Sequence, residues 1–380
     1  MEKPKIAWLS ASVLMLTGLI TLFGVPAYAL LHGFDAWQIS FMLIGVVVCE
    51  ISITAGYHRL WSHRAYEAHW SVRFIFMLGG TFAAQNSILH WASDHRRHHR
   101  FVDDEVKDPY SAKKGFWYSH IGWMLREYNV DFDEYNNCRD LKKDRIVMWQ
   151  HRYYLPLVLT LNFGIPLILG LLHGDLLGMM LLVGVARLAI SHHFTFFINS
   201  LAHIWGKQPY SETNTSKDNA FLAILTMGEG YHNYHHSFQR DYRNGIRWWS
   251  YDPTKWLIRL LASMGLANNL YRTPLEKIES LRAKTLLNQT SKKLASLAHA
   301  DVFLVRLHDE YDILLKNINE FSLARKKWMD AKKAAVLESY DIDALKKQVE
   351  TLKASLLQQR KNWLMLNEKL VINYGQRALS

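Results

Sequence analysis

Charged residues are absent or nearly absent from four stretches of the chain, and these gaps set its architecture. Ala7 to Phe34 contains no Asp, Glu, Lys or Arg, and neither does Tyr153 to Gly174. Ala36–Tyr57 and Leu176–Asn199 are almost as apolar, with one charge each, Glu50 and Arg187. A helix of about 20 apolar residues crosses the ~30 Å hydrocarbon core of a bilayer. The pattern predicts four membrane spans, over about 7–31, 36–57, 153–173 and 176–199. The first is too long for the apolar core of a signal peptide and is expected to stay as a membrane helix. The spans form two hairpins, joined by the short turns Leu31 to Ala36 and Leu172 to Leu176. Neither turn carries Lys or Arg, whereas Lys3, Lys5, the 58–152 region and everything after Asn199 are rich in them. The positive-inside rule puts both turns outside and both termini in the cytoplasm.

Within 58–152, Val72–Trp91 is apolar but interrupted by Thr81, Gln85, Asn86, Ser87 and His90. It reads as a helix lying along or dipping into the membrane face, not a fifth span. Beyond Pro274 the pattern changes again. Leu304, Leu307, Tyr311, Leu314, Ile318, Phe321, Arg325 and Trp328 advance by alternating threes and fours. So do Ile342, Leu345, Val349, Leu352, Leu356, Gln359, Trp363, Leu366 and Leu370. This is a heptad stripe with two polar lapses. Ser339 or Asp341 would cap a second helix and make an antiparallel hairpin; the two stripes are also in phase, which fits one long helix. The expected organisation is a membrane domain over 1–274 and a helical, coiled-coil-like extension over 275–380.

Composition alters this picture in two places. The net charge of +11 suits anionic lipid headgroups, an acidic electron donor or a phosphate-bearing substrate. No interleaving of basic and aromatic residues points to nucleic acid, and none is expected as a partner. The two cysteines, Cys49 and Cys138, suggest no disulfide framework.

The chemistry lies in histidine. Three clusters read His58-Arg-Leu-Trp-Ser-His63, His95-Arg-Arg-His98-His99 and His232-Asn-Tyr-His235-His236. Their eight imidazoles suffice for two metal ions, with room for a ninth ligand. Imidazole suits iron, zinc and copper alike. No Cys or carboxylate is interleaved, which argues against a thiolate zinc site or a Glu-rich di-iron bundle. His95, His98 and His99, and likewise His232, His235 and His236, are i, i+3, i+4 sets that present three nitrogens to one side of a helix. His58 and His63 are five apart, awkward on a regular helix, so the first is expected at the end of the second span and the second just beyond it. Asn199 and His203, one turn apart at the end of the fourth span, offer the ninth imidazole and a residue able to hold a ligand water. His69, His90, His120, His151, His192 and His193 read as ordinary structural residues, and His32 and His173 sit on the outer turns.

The segments GYHRLWSHRAYEA, QNSILHWASDHRRHH, FFINSLAHIWGKQPY and GEGYHNYHHSF resemble the membrane-bound fatty acyl desaturases, specifically the Δ9 acyl-CoA (stearoyl-CoA) type. The resemblance covers roughly residues 5–270 and has a bacterial look. It implies an all-α membrane protein with four spans in two hairpins and a cytosolic helical cap over an acyl tunnel. It implies a non-haem di-iron centre held by His58, His63, His95, His98, His99, His203, His232, His235 and His236, with Asn199 bound through water. Two electrons and O2 would then remove two hydrogens from neighbouring methylenes of a long-chain saturated acyl group, leaving a cis double bond at Δ9. Asn86, Trp91 and Arg126 are the candidate substrate contacts. One departure bears on the substrate: where animal members carry an Arg before the Asp of the second cluster, this chain has Ser93 before Asp94. Arg96, Arg97, Lys113, Lys114 and Arg126 remain as cations for CoA phosphates, and acyl groups on phospholipid are an alternative substrate.

No Gly-rich dinucleotide fingerprint or fused redox module is evident. The expected partners are a ferredoxin, rubredoxin or cytochrome b5 type donor and its reductase, at a bacterial inner membrane. A related hydroxylase, ketolase or alkane monooxygenase fits the Asn199–His203 and third-cluster flanks less well. A histidine-rich metal transporter would set its ligands within the spans, whereas these clusters sit at or beyond span ends. Finally, Glu50 lies about 14 residues into its span and Arg187 about 11, a depth difference of only ~5 Å. Isolated charges in a bilayer usually pair, so a buried Glu50–Arg187 ion pair is expected to fix the two ligand-bearing spans near the deep end of the tunnel.

Overall fold

The computed structural model of the protein describes residues 4–128, 135–295, 300–334 and 342–375. These divide into two compact units, one of residues 1–208 and 213–272, the other of 209–212 and 273–380.

In the first unit four helices are long and apolar enough to cross a membrane: α1 (Trp8–Leu31), α2 (Ala36–Ser62), α6 (Tyr154–His173) and α7 (Leu176–Ile204). Between α2 and α6 lie α3 (Trp70–Phe82), α4 (Ile88–Phe101) and α5 (Arg145–Arg152). After α7 come the short α8 (His232–Ser237) and α9 (Pro253–Ser263). A two-residue antiparallel pair joins β1 (Glu67–Ala68) to β2 (Ala267–Asn268), Glu67 opposite Asn268. The protein is thus an all-α integral membrane protein.

The second helix of each hairpin starts from an acidic cap. Asp35 accepts from the Gln38 backbone N–H at 2.9 Å while the Gln38 side chain accepts from Asp35 N–H at 3.0 Å, a capping box that starts α2. Asp175 accepts from Gly178 N–H at 2.8 Å and starts α7. It also accepts from Tyr28 Oη and Gln38 Nε2, both at 2.7 Å, which ties the two outer turns together.

Val72–Trp91 is two helices, not one. α3 ends at Phe82, and Ala84 and Asn86 take left-handed backbone (φ 51 and 74) before Ser87 caps α4. With 13 residues α3 rises only ~20 Å, too short to span. Trp70 and Ile75 on it are exposed, while Phe76, Met77 and Thr81 are buried. The buried face lies tightly against α2: a Cβ at Gly79 would strike Ser52, and one at Gly80 would strike Tyr57.

Glu50 and Arg187 are both fully buried, but they do not pair. Among the described residues no ion pair joins them, which corrects the sequence expectation. Arg187 instead donates to the Phe82 carbonyl (2.6 Å), Asn162 Oδ1 (2.6 Å), the Val183 carbonyl (2.9 Å) and Cys49 Sγ (3.4 Å), and lies over the Phe82 ring at 3.7 Å. Glu50 accepts from Ser191 Oγ at 2.9 Å. Neighbouring positions on a helix point about 100° apart, so Cys49, not Glu50, faces Arg187. The free carbonyl at the end of α3 then gives the guanidinium a neutral partner.

The second unit contains α10 (Leu275–Leu294), α11 (Ala300–Ala334) and α12 (Ile342–Gly375). Tyr311 and Trp363 lie with ring centroids 6.0 Å apart. On one straight helix they would sit ~80 Å apart, so the stripes fold back on each other. A third helix, α10, joins them: Glu279 meets Arg360 at 3.3 Å and Thr290 Oγ1 meets Asn367 Oδ1 at 2.6 Å. Both contacts run in the same chain order, so α10 and α12 are parallel and α11 antiparallel to both. Leu287, Leu307, Leu314, Ile318 and Trp363 form the core. Arg325, on the expected stripe, is exposed, and Ala324 is buried instead. Ser339 and Asp341, the expected caps, lie outside the described residues.

Candidate metal centre

The last turns of α2 are π-helical. Over Ser52–Ser62 the backbone closes i to i+5 bonds, and His63 N–H donates to the His58 carbonyl at 3.0 Å. A five-residue spacing that a 3.6-residue helix splays apart is thus brought onto adjacent turns. His58 and His63 rings stand 4.7 Å apart. The end of α7 is likewise irregular. The helix breaks at Ser200 (φ −109, ψ −77), and His203 N–H bonds to Ser200 O, so Asn199 and His203 are not partners in one regular turn. Asn199 is half-buried as the last residue before that break.

All nine histidines named above come together, in two sets. His58, His63, His95, His99 and His235 form one; His98, His203, His232 and His236 form the other. Within each set one ligand atom per residue lies within 4.8 Å of every other. The two i, i+3, i+4 triplets do not each serve one side. On α4 and on α8 the triplet is divided: His95 and His99 go to one set and His98 to the other, and His232 and His236 to one and His235 to the other. Both helices therefore run between the sets.

Ring nitrogens meet closely. His63 and His95 Nε2 are 2.7 Å apart, His235 and His99 2.9 Å, His58 and His235 3.0 Å. In the second set His232 lies 3.1 Å from both His203 and His236, and His98 Nε2 lies 3.2 Å from His236. Burial pushes the imidazoles of His63, His95, His99, His232, His235 and His236 well below the ordinary histidine range, and the neighbouring rings push the same way. Each neutral ring keeps one lone pair that a divalent cation can use, and an all-imidazole donor set fits iron, zinc or copper. The donors present therefore fit two ions.

A ring held neutral in the fold takes up its proton only on unfolding. Stability is therefore present above the unfolded value near ~6.5 and is lost as pH falls below it. Metal-free protein in detergent should melt at a clearly lower temperature at about pH 5.5 than at about pH 7.5. Equal melting temperatures would contradict the buried neutral cluster.

A charged network braces the five-membered set. His58 Nδ1 lies 3.0 Å from Glu229 Oε2. Arg59 donates to Glu229 Oε1 (2.8 Å), Asp252 Oδ2 (3.2 Å) and the Tyr242 carbonyl (2.7 Å). Burial alone would raise the Glu229 carboxyl; His58 and Arg59 beside it outweigh that and hold it at about 2. Glu229 lies in the flank of the third cluster, and its role carries no helical or metal-type spacing that a sequence reading could use. The same holds for Asp103, Asp108 and Thr215 beside the other set.

Of the expected substrate contacts, Trp91 stacks on His95 with ring centroids 4.9 Å apart and donates to Gln85 Oε1 at 3.3 Å. Asn86 sits on the exposed turn before α4, its N–H on Tyr154 Oη at 2.8 Å. Arg126 is exposed and donates to the Pro4 carbonyl at 2.9 Å. No hydrogen bond links Asn86 or Arg126 to the nine histidines among the described residues. Two of the expected phosphate cations are engaged elsewhere. Arg96 donates to the Ser62, Trp61 and Asn137 carbonyls and pairs with Asp140 at 2.7 Å, and Arg97 pairs with Asp94 at 3.0 Å. Ser93 donates to Asn137 Oδ1 at 2.8 Å. The histidines read as structural stay outside both sets; His120, for one, bonds His193 at 2.9 Å and Ser200 at 3.0 Å.

Comparison with known proteins agrees with this geometry. The family model described as fatty acid desaturase matches residues 35–268. A probable acyl-CoA desaturase of Schizosaccharomyces pombe is 44% identical over 278 residues, covering 72% of this chain and 57% of its own. Acyl-CoA desaturase 1 of Saccharomyces cerevisiae is 43% identical over 255 residues, 67% of this chain and 49% of its own. The stearoyl-CoA desaturase of Sus scrofa is 35% identical over 278 residues, 70% of this chain and 75% of its own. The chain spans about half the length of the two yeast relatives.

Proposed function

Because the chain belongs to the fatty acid desaturase family, we propose that it is an O2-dependent oxidoreductase that desaturates a long-chain saturated acyl-CoA, with Δ9 as the position. One observation carries the reading: nine imidazoles, seven buried and two half-buried (His99 and His236), meet in two sets at the ends of α2 and α7. His58, His63, His95, His99 and His235 would hold one ion. His98, His203, His232 and His236 would hold the other, with Asn199 on a ligand water. When bound, two non-haem irons supply the reduction of O2 and the removal of hydrogen from an unactivated methylene.

The chain's own residues do the rest. α2 and α7 set the depth of the site, because each carries ligands at its histidine-bearing end. The Trp91 indole covers the His95 ring and excludes water from that side. All-imidazole ligation is neutral and adds no negative charge to the ions, which leaves them strongly oxidising. Electrons come from a separate ferredoxin, rubredoxin or cytochrome b5 type protein, and both termini face the cytoplasm with it.

A second substrate reading, acyl groups on phospholipid, is favoured by Ser93 and by the engagement of Arg96 and Arg97 within the fold, which leave fewer cations for CoA phosphates. The experiment is expression in a host lacking its own desaturase, with lipids analysed by mass spectrometry. Fatty acids that have lost two hydrogens at Δ9 are expected. A gained oxygen would indicate a hydroxylase, and unchanged lipid with altered cell metal would indicate a transporter. Purified protein given stearoyl-CoA or a stearoyl phospholipid then separates the two substrates.

A further inference from the structure

The loop that follows α4, Val102 to Tyr110, carries two buried carboxylates that belong to neither histidine set. Asp103 is 8% exposed and Asp108 only 1%. Such groups are costly to bury unless they are fully used, and both are. Asp108 Oδ1 accepts from His98 Nδ1 at 2.9 Å and from Tyr110 N–H at 3.2 Å, and its Oδ2 accepts from Asp103 N–H at 3.1 Å. Asp103 accepts from the Thr215 hydroxyl at 2.6 Å and from Thr215 N–H at 2.7 Å. Thr215 Oγ1 in turn lies 2.8 Å from His203 Nδ1.

The proton positions follow from the donor inventory. A carboxylate only accepts, so His98 must donate from Nδ1 and keep its lone pair on Nε2. The Thr215 hydroxyl spends its one proton on Asp103, so it must accept from His203 Nδ1, and the His203 lone pair is also on Nε2. Those two Nε2 atoms are the ones that meet the rest of the four-membered set. Asp103 has left-handed backbone, φ 68, which a non-glycine residue adopts at a cost. That turn lets one nine-residue loop reach a ligand on α4 and a ligand at the end of α7.

We propose that Asp108 and the Asp103–Thr215 pair are positioning residues that fix the tautomers and ring orientations of His98 and His203, and so set metal retention at the four-histidine position. The proposal rests on the reading of the two sets as metal sites. Loss of such an outer partner typically weakens metal binding 10- to 100-fold. It should act on one ion of the two, because neither carboxylate touches the five-membered set among the described residues.

Full-length protein is purified in detergent, dialysed against a chelator, and assayed for total iron plus zinc per chain. Wild type is expected to retain two ions. Thr215→Val keeps the shape but removes the hydroxyl, and is expected to retain one, the second being restored only at 10- to 100-fold higher free metal. Thr215→Ser keeps the hydroxyl and is expected to retain two. His203→Ala is the control. If His203→Ala keeps both ions, the metal-site reading itself fails. If His203→Ala loses one while Thr215→Val holds two as firmly as wild type, the positioning role alone is overturned. Should Thr215→Val not accumulate in membranes, Asp108→Asn tests the His98 arm in the same assay. Retention equal to wild type there overturns the proposal, and a weakened second ion supports it.

Discussion

His235→Ala is expected to abolish desaturation while the protein still inserts in the membrane. His58→Ala, His98→Ala and His203→Ala should behave alike. In each, product should fall by more than about 100-fold, the upper end of what losing a mere outer partner of a metal ligand costs. His235 faces His58 and His99 at 3.0 and 2.9 Å, so its removal opens one side of the five-membered set. Insertion survives because the spans satisfy their backbone hydrogen bonds within themselves. The measurement is fatty acid profiling of expressing cells, with membrane-fraction immunoblots as control. Near-normal product from two of the four variants would remove the nine-histidine assignment.

The second large effect is on stability. Arg187→Met should destabilise the membrane fold by about 3 kcal/mol, since it leaves buried acceptors such as Asn162 Oδ1 and the Phe82 carbonyl without their donor. Glu50→Gln should act separately, through Ser191. The double variant should be no more stable than Arg187→Met alone, because no ion pair joins the two charges. Thermal survival in detergent, followed by size-exclusion chromatography, reads this. A double variant more stable than Arg187→Met alone would mean that the two charges interact after all.

The spans were legible because a missing charge over some twenty residues has few other meanings. The nine ring nitrogens were legible by type and cluster, and by resemblance to a family. What escaped was geometry. The π-helical end of α2 joins His58 to His63 through i to i+5 bonds, and no periodicity announces it. The divided triplets on α4 and α8 depend on both helices passing between the sets, a tertiary fact. The Glu50–Arg187 pairing matched depth but not direction: one residue of offset turned Cys49 toward the guanidinium. Asp103 and Thr215 are 112 residues apart in sequence, and only the fold brings them together.

If the two histidine sets form a redox centre for desaturation, the identity of the bound metal decides activity. Metal-free protein is reloaded in parallel with ferrous iron or zinc and given a reduced electron donor, O2 and stearoyl-CoA. Both metals should bind, because imidazole accepts either, and only the iron protein should make the cis unsaturated product. Equal product from the zinc protein, or none from protein holding two irons per chain, would contradict the account.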